Sequence, residues 1–216
     1  MNSIEKMPRL HFRSKLALKR CFDFVFAVIA LALLSPVMLA AVVVVKSGGK
    51  GPVFYRGVRA GLNGRPFRIF KFRTMVDGAE KMGGPTTCTS DPRVTPSGWF
   101  MRRTKMDELP QLFNVIAGDM SIVGPRPEVM EYASRYQGDE KLILTMRPGI
   151  TDYASIAFAD LDDRVGSEDA DAYFRQNILP EKNSLRVRYV REWSLAGDMR
   201  ILFATVWRVF KRVVYK

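Results

Sequence analysis

The strongest pattern along the chain is an uncharged run from Phe24 to Val45, FVFAVIALALLSPVMLAAVVVV. It is about as long as the roughly 20 residues that cross a bilayer core, and it predicts a membrane-embedded helix. A secretory signal carries a shorter apolar stretch and a small-residue cleavage site. Here four valines run directly into Lys46, which argues against cleavage. Lys6, Arg9, Arg13, Lys15, Lys19 and Arg20 precede the run, and Lys46, Lys50, Arg56, Arg59, Arg65, Arg68, Lys71 and Arg73 follow it. Positive flanks mark the cytoplasmic side, and two such flanks are reconciled by a hairpin that enters and leaves the same leaflet. Ser35-Pro36, at the midpoint, is where it would bend. Proline removes a backbone donor and clashes with the carbonyl four residues earlier, and Ser35 can re-satisfy the freed group. An ordinary spanning helix with a tolerated proline kink is the alternative.

The glycine-rich linker SGGKGP divides the chain into two expected units, 1–50 and 51–216. After it, PVFYRGVRAGLNGRPFRIFKFRTM sets aromatic and β-branched residues on both sides of Leu62-Asn63-Gly64. This predicts a β-hairpin with strands near 53–59 and 66–72. The polar loop 77–98 is expected to be mobile or to form a partner-dependent cover. From Trp99 to Ile116 the pattern is helical, with Leu109, Leu112, Phe113 and Ile116 at i, i+3, i+4, i+7 and Gly118 closing it. Pro110 is then confined to the first turn, which puts Asp107 and Glu108 at or beside the N-cap, where unpaired N–H groups and the helix dipole favour anions.

Residues 119–130 read as a turn-rich loop, 128–145 as a surface helix, and RPGIT at 147–151 as another turn. Asp160, Asp162, Asp163, Glu168, Asp169 and Asp171 read as a solvated loop and helix start. The C-terminal MRILFATVWRVFKRVVYK sets Ile201, Leu202, Val206, Val209, Phe210 and Val213 on one side and basic residues outside, as suits a helix lying in a membrane interface; a basic-edged core helix is the alternative. The expected fold class is α+β: a largely helical domain with a small β-hairpin, an N-terminal re-entrant membrane helix and amphipathic interfacial helices.

Composition narrows the chemistry. With 216 residues, 47% of them apolar, the length suits a single globular domain. Lys plus Arg number 34 against 22 for Asp plus Glu, a net charge of +12, which calls for an anionic partner: a phospholipid surface, a phosphorylated substrate or nucleic acid. Cys21 and Cys88 have neither metal-ligand nor disulfide spacing, which argues for a reducing compartment. His11 is the only histidine and lies in the basic arm, so Ser-His, Cys-His and multi-histidine metal mechanisms are excluded.

Asp107 and Glu108 are the best candidates for the remaining chemistry. Adjacent acids at a helix start are commonly caps, and Thr104 with Asp107 matches the capping-box pattern. The surroundings point further. Arg102, Arg103 and Lys105 precede the pair, and Arg126 in GPRP and Arg147 in RPG would complete an anion pocket if the fold gathers these turns. Arginines suit bidentate phosphate recognition, and a carboxylate among them stays ionised, as a nucleophilic aspartate requires.

The string RRTKMDELPQLFNVIAGDMSIVGPRPE, together with PVFYR, GLNGRPF, KFRTM and RPGIT, closely resembles the bacterial sugar transferases that are monotopic phosphoglycosyl transferases. The resemblance runs from about Lys19 to the C-terminus, and with no extra N-terminal membrane domain the chain looks like the minimal catalytic form. The resemblance implies a ping-pong transfer of a sugar-1-phosphate from a UDP-sugar to a polyprenyl phosphate such as undecaprenyl phosphate, with release of UMP. Asp107 matches the nucleophile and Glu108 the partner that helps hold Mg²⁺. Arg102, Arg126 and Arg147 match positions of nucleotide or phosphate contact, Lys71 and Arg73 serve substrate binding or the domain fold, and Ser35-Pro36 matches the helix-breaking pair of a re-entrant helix.

The implied setting is the cytoplasmic face of a bacterial inner membrane among phospholipids, in glycoconjugate biosynthesis, with a homodimer left open. Gly57 and the sequence RPGITDYAS depart from common forms of the family, and the latter bears on sugar or lipid contacts. A membrane-tethered binder of anionic polymers would also use the positive charge, but nucleic-acid motifs are absent, so no nucleic-acid partner is expected. A scaffold of decayed enzyme ancestry is opposed by the intact Asp107, Glu108 and Arg126.

Overall fold

The computed structural model describes residues 9–84, 86–88, 91–159 and 169–214. Lys6 and the acidic run from 160 to 168 lie outside them. The chain opens with a long helix, α1 (Arg9–Ser47), that contains Pro36. Proline cannot donate to the Ala32 carbonyl four residues back, and Ser35 Oγ donates to that carbonyl at 2.8 Å. The expected repair of the freed group is therefore present, and helical structure continues on both sides of the proline.

One stripe of α1 packs on the rest of the protein. Ala27, Met38, Ala41 and Val45 are buried and Leu31 and Leu34 partly so, at spacings of three and four. The opposite side leaves Phe24, Val25, Val28, Ile29, Leu33, Leu39 and Val43 exposed. A face of that size and composition has no place in water, so the protein is membrane-associated. Both ends of α1 are tied to one domain. Near its start, Arg20 donates to the Val115 and Ile116 carbonyls at 2.6 and 3.0 Å, and Asp23 accepts from Ser121 Oγ and the Ile122 amide. At its end, Arg73 donates to the carbonyls of Val45, Gly49 and Lys50.

The hairpin forms as expected, with a break on each side. β1 (Phe54–Tyr55) pairs with β4 (Lys71–Phe72), and β2 (Val58–Ala60) with β3 (Pro66–Arg68), all antiparallel and in one register that the Ile69 amide bridges by donating to Gly57 O. Asn63 and Gly64 take φ of 56° and 73°, the left-handed region that an Asn-Gly turn supplies. The described residues of the following loop are held rather than loose: Met75 bridges Val94, and Arg93 donates to Asp91 and to the carbonyls of Gly84 and Thr86.

The helix expected from Trp99 to Ile116 is two helices, α2 (Pro96–Thr104) and α3 (Gln111–Ala117). Lys105 separates them with φ 58°, a left-handed conformation that costs about 1–2 kcal/mol for a side chain of this kind. It turns the chain into a 3₁₀ turn at Met106–Glu108 that carries the acidic pair just ahead of α3, with Pro110 at the N-cap. The capping-box reading fails, because Thr104 Oγ1 donates backwards to the Phe100 and Met101 carbonyls.

Two segments read as turns hold a parallel strand pair, β5 (Ser121–Val123) with β6 (Gly149–Thr151). β5 is buried along its whole length, so no alternation marked it as a strand. Gly124 and Gly149 touch backbone to backbone; a Cβ on Gly149 would lie 2.0 Å from the Gly124 nitrogen. The surface helix expected at 128–145 is α4 (Met130–Ala133) and a 3₁₀ stretch, Gly138–Thr145, divided at Gly138, whose φ is 50°.

After α5 (Tyr153–Ala157) and α6 (Ala170–Tyr173) comes a π-helical turn, Phe174–Ile178, then α7 (Leu179–Glu192) and α8 (Leu195–Val214). The main core gathers Ala27, Val115, Ile122, Tyr189, Val190, Trp193 and Ile201. Thus α8 divides along its length: Ile201 enters the core, while Phe203, Val206, Trp207, Phe210 and Val214 form an exposed apolar face. The architecture is α+β and largely helical.

Asp198 joins α8 to α1 and α7. Its Oδ2 accepts from the buried Lys19 at 2.6 Å and from Trp193, and its Oδ1 from Tyr189 at 2.8 Å. Asp198→Ala leaves the buried Lys19 ammonium to Asp23, 3.8 Å away, and the expected cost is about 3 kcal/mol. Denaturant unfolding in nanodiscs will read that loss; a change below about 1 kcal/mol is incompatible with this role.

Candidate active site

Three segments distant in sequence meet at Glu108. Lys71, on β4, places Nζ 3.0 Å from Glu108 Oε1. Arg126, in the GPRP turn, grips the same carboxylate as a fork, with Nη1 2.9 Å from Oε2 and Nη2 on Oε1. Such bidentate pairing fixes orientation as well as charge. Arg126 is itself held: its amide donates to Asp152 Oδ2 at 2.9 Å, and Nη1 also reaches the Ile150 carbonyl on β6 at 2.9 Å.

Asp107 is treated differently. It is 5% exposed, its Oδ2 lies 3.7 Å from Lys71 Nζ, and its Oδ1 is buried without a hydrogen-bond partner. Burial raises its pKa, and the neighbouring Glu108 charge adds to the effect, opposed by Lys71, Lys105 and Arg102. For Glu108 burial also acts upward, but Arg126, Lys71 and Lys105 outweigh it and hold that carboxyl well below its usual range. Two adjacent carboxylates are thereby driven apart: Glu108 is held as an anion, and Asp107, against the expectation of an acid kept ionised among arginines, is pushed toward its neutral form by burial. Lys71, Lys105, Arg102 and Arg126 outnumber them, so the site carries surplus positive charge suited to a polyanion.

Arg102 stands beside this group, its Nε on Thr74 Oγ1 at 2.9 Å and Nη1 on Thr87 Oγ1 at 3.0 Å. Two expected site arginines are placed elsewhere. Arg147 Nε donates to the Gly118 carbonyl, at the opposite end of α3 from the acidic pair, and Arg73 closes the end of α1. Both satisfy helix C-terminal carbonyls, which attract guanidinium groups as phosphates do.

The sequence reading missed several groups around the pair. Gln111, one turn after Asp107, is wholly buried with neither Oε1 nor Nε2 partnered. Asp152 caps α5 through the Ser155 amide at 2.6 Å while holding Arg126, and an Asp three residues before Ser was a readable cap signal. Behind it, the fully buried Arg186 donates to Glu128 Oε1 at 2.8 Å.

Comparison with known proteins gives the chain a family. Residues 14–212 match the family model described as bacterial sugar transferase. The chain is 39% identical over 201 residues to a UDP-glucose:undecaprenyl-phosphate glucose-1-phosphate transferase of Escherichia coli K12, covering 89% of this chain and 40% of that protein. It is 36% identical to a UDP-N-acetylgalactosamine-undecaprenyl-phosphate N-acetylgalactosaminephosphotransferase of Aeromonas hydrophila, covering 88% and 43%. To the exopolysaccharide production protein ExoY of Sinorhizobium fredii it is 35% identical, covering 87% and 83%. The chain thus spans well under half of the first two relatives and most of the third.

The unpartnered Asp107 costs stability. Its folded-state pKa is raised, so the penalty is absent below the ordinary carboxylate range and sets in as pH rises through the folded value. Asp107→Asn is expected to stabilise the protein at pH 7.5 by on the order of 1 kcal/mol, with the gain shrinking as pH falls. Thermal unfolding of both forms across pH measures this, and an Asn variant less stable at neutral pH contradicts it.

Proposed function

The chain belongs to the bacterial sugar transferase family, and on that premise we propose that it transfers a sugar-1-phosphate from a UDP-sugar to undecaprenyl phosphate through a covalent intermediate on Asp107. The observation that carries this reading is Asp107 Oδ1, a buried carboxylate oxygen with no partner, fixed beside a locked Glu108 in a cationic site.

In the first half-reaction an Asp107 oxygen bonds to the sugar-bearing phosphorus while the P–O bond to UMP breaks and its electron pair leaves with UMP. In the second, an oxygen of the polyprenyl phosphate bonds to that phosphorus and the carboxylate departs. Phosphoryl transfer of this kind rests on positioning and charge stabilisation, which Lys71, Arg102 and Arg126 are arranged to supply. Glu108, held by two cations, fixes Lys71 and Arg126 around the nucleophile.

The pair also suits a magnesium ion that takes most of its oxygens from substrate. Glu108 retains a lone-pair position on Oε2 beyond those used by Lys71 and Arg126, and Asp107 Oδ1 is free. Among the described residues no cluster of three or more Asp, Glu, His or Cys could hold a metal by itself. Mg²⁺ bound by Glu108 would neutralise charge on the diphosphate and on UMP.

The setting we propose is monotopic, with α1 re-entrant and the domain on the cytoplasmic face of the inner membrane. Supporting this, both ends of α1 bind the same domain, and a straight helix crossing the bilayer would carry one end, and whatever binds it, to the far side. The exposed face of α8 adds a second attachment. The product would enter exopolysaccharide or related glycan synthesis.

UMP release from a UDP-sugar panel, by protein in nanodiscs with Mg²⁺ and undecaprenyl phosphate, tests the reaction. Asp107→Asn should lower release by about 10³-fold or more; undiminished release removes Asp107 as nucleophile. Lys71 is the leading group that keeps the Asp107 pKa down. Lys71→Met should therefore shift the acid limb of kcat/KM to higher pH, and an unmoved limb would show that a different group controls it.

A further inference from the structure

Lys182, on α7, is a buried cation that the proposed mechanism leaves unused. It is 8% exposed, and among the described residues no carboxylate lies within ion-pair distance of it. Its Nζ instead sits over the Phe174 ring, 4.9 Å from the centroid. The nearby acids are engaged elsewhere: Glu128 accepts from Arg186, and Asp152 accepts from the Arg126 amide and from Ser155. Burial pulls the Lys182 pKa down to about 8, Glu128 works against that, and Arg186 and Arg126 depress it further.

The backbone under this lysine is unusual as well. Phe174 opens the π-helical turn Phe174–Ile178, and Tyr132 stacks on the Phe174 ring at 5.8 Å between centroids. Turns of this kind are rare and concentrate at functional sites. The fold therefore holds an ammonium out of water, on an aromatic seat, one turn of α7 before Arg186, whose partner Asp152 also holds Arg126. An arrangement of that sort is unfavourable for the chain alone and is relieved by an anion.

The chemistry proposed above limits which anion. The carboxylate attacks and later leaves from the same side of the phosphorus, so the departing UMP and the incoming polyprenyl phosphate use the opposite side in turn. Both present a phosphate monoester there. Resting on that reading, we propose that Lys182 is a binding residue for this monoester, in one subsite shared by the nucleotide that leaves and the lipid phosphate that enters.

The test uses the full chain in nanodiscs, with Lys182→Met and Lys182→Arg beside the parent. UMP binding is measured directly by calorimetry, which needs no turnover, and KM is measured for undecaprenyl phosphate. Lys182→Met should weaken UMP binding and raise the lipid KM by tenfold or more each, while leaving the melting temperature unchanged or higher because a buried uncompensated charge is gone. Lys182→Arg, which keeps the charge, should stay within about threefold of the parent on both. A loss confined to UMP or to the lipid overturns the shared subsite, and no loss in either overturns the role of Lys182. Absence of UMP release by the parent protein would strike the proposed reaction instead, and the two failures are thereby separated.

Discussion

The site depends on one buried ion cluster, the Glu108 carboxylate between Lys71 and Arg126. Each partner comes from a different segment: Lys71 from the hairpin, Glu108 from the turn ahead of α3, and Arg126 from the loop after β5. Burying any one of these charges alone would be costly, so each segment is stable in its place only when the other two are present. That mutual requirement gathers turns that lie far apart in sequence. The supports extend outward by the same logic, from Arg126 to Asp152 and from Glu128 to Arg186 on α7.

Asp107 departs from this pattern. Glu108, Lys71 and Arg126 are paired with one another, whereas its Oδ1 has no partner and its neighbour Gln111 is unpaired on both atoms. A fold optimised for stability alone would not keep two such groups one turn apart. The left-handed Lys105 adds local strain two residues before Asp107. Stability given up in this one turn, and recovered in the Glu108 cluster, is the physical mark of a site poised for substrate.

Much of this was legible in the sequence. The Asn63-Gly64 turn announced the hairpin and its register, the uncharged run announced α1, and Ser35 completes the carbonyl that Pro36 leaves open. The acidic pair and Arg126 were found because acids among arginines are hard to explain as caps. What stayed hidden depends on tertiary placement. A three-residue strand such as Ser121–Val123, buried on both faces, has no alternation to read. Lys105 carries no signature of a left-handed residue, so the helix through it looked continuous. Arg73 and Arg147 sit in motifs rich in phosphate-binding residues, yet a helix C-terminus offers them carbonyls as readily as a substrate offers phosphate, and sequence cannot tell these acceptors apart. Lys182 passed unnoticed because its isolation is a property of what packs around it.

The membrane segments follow the same division between one face and the other. α1 and α8 each give one side to the core, through Ala27, Ala41 and Ile201, and leave the other apolar and exposed. They are joined by the buried contact of Lys19 with Asp198, and α1 carries Asp23 against β5, next to the loop that holds Arg126. The elements that expose apolar faces are thus bonded through buried side chains to the elements that build the site. In the proposed monotopic setting, these contacts would set the height of Asp107 relative to the bilayer. For the proposed reaction, between a soluble nucleotide sugar and a phosphate at the end of a lipid, that height would decide whether both can reach the same carboxylate.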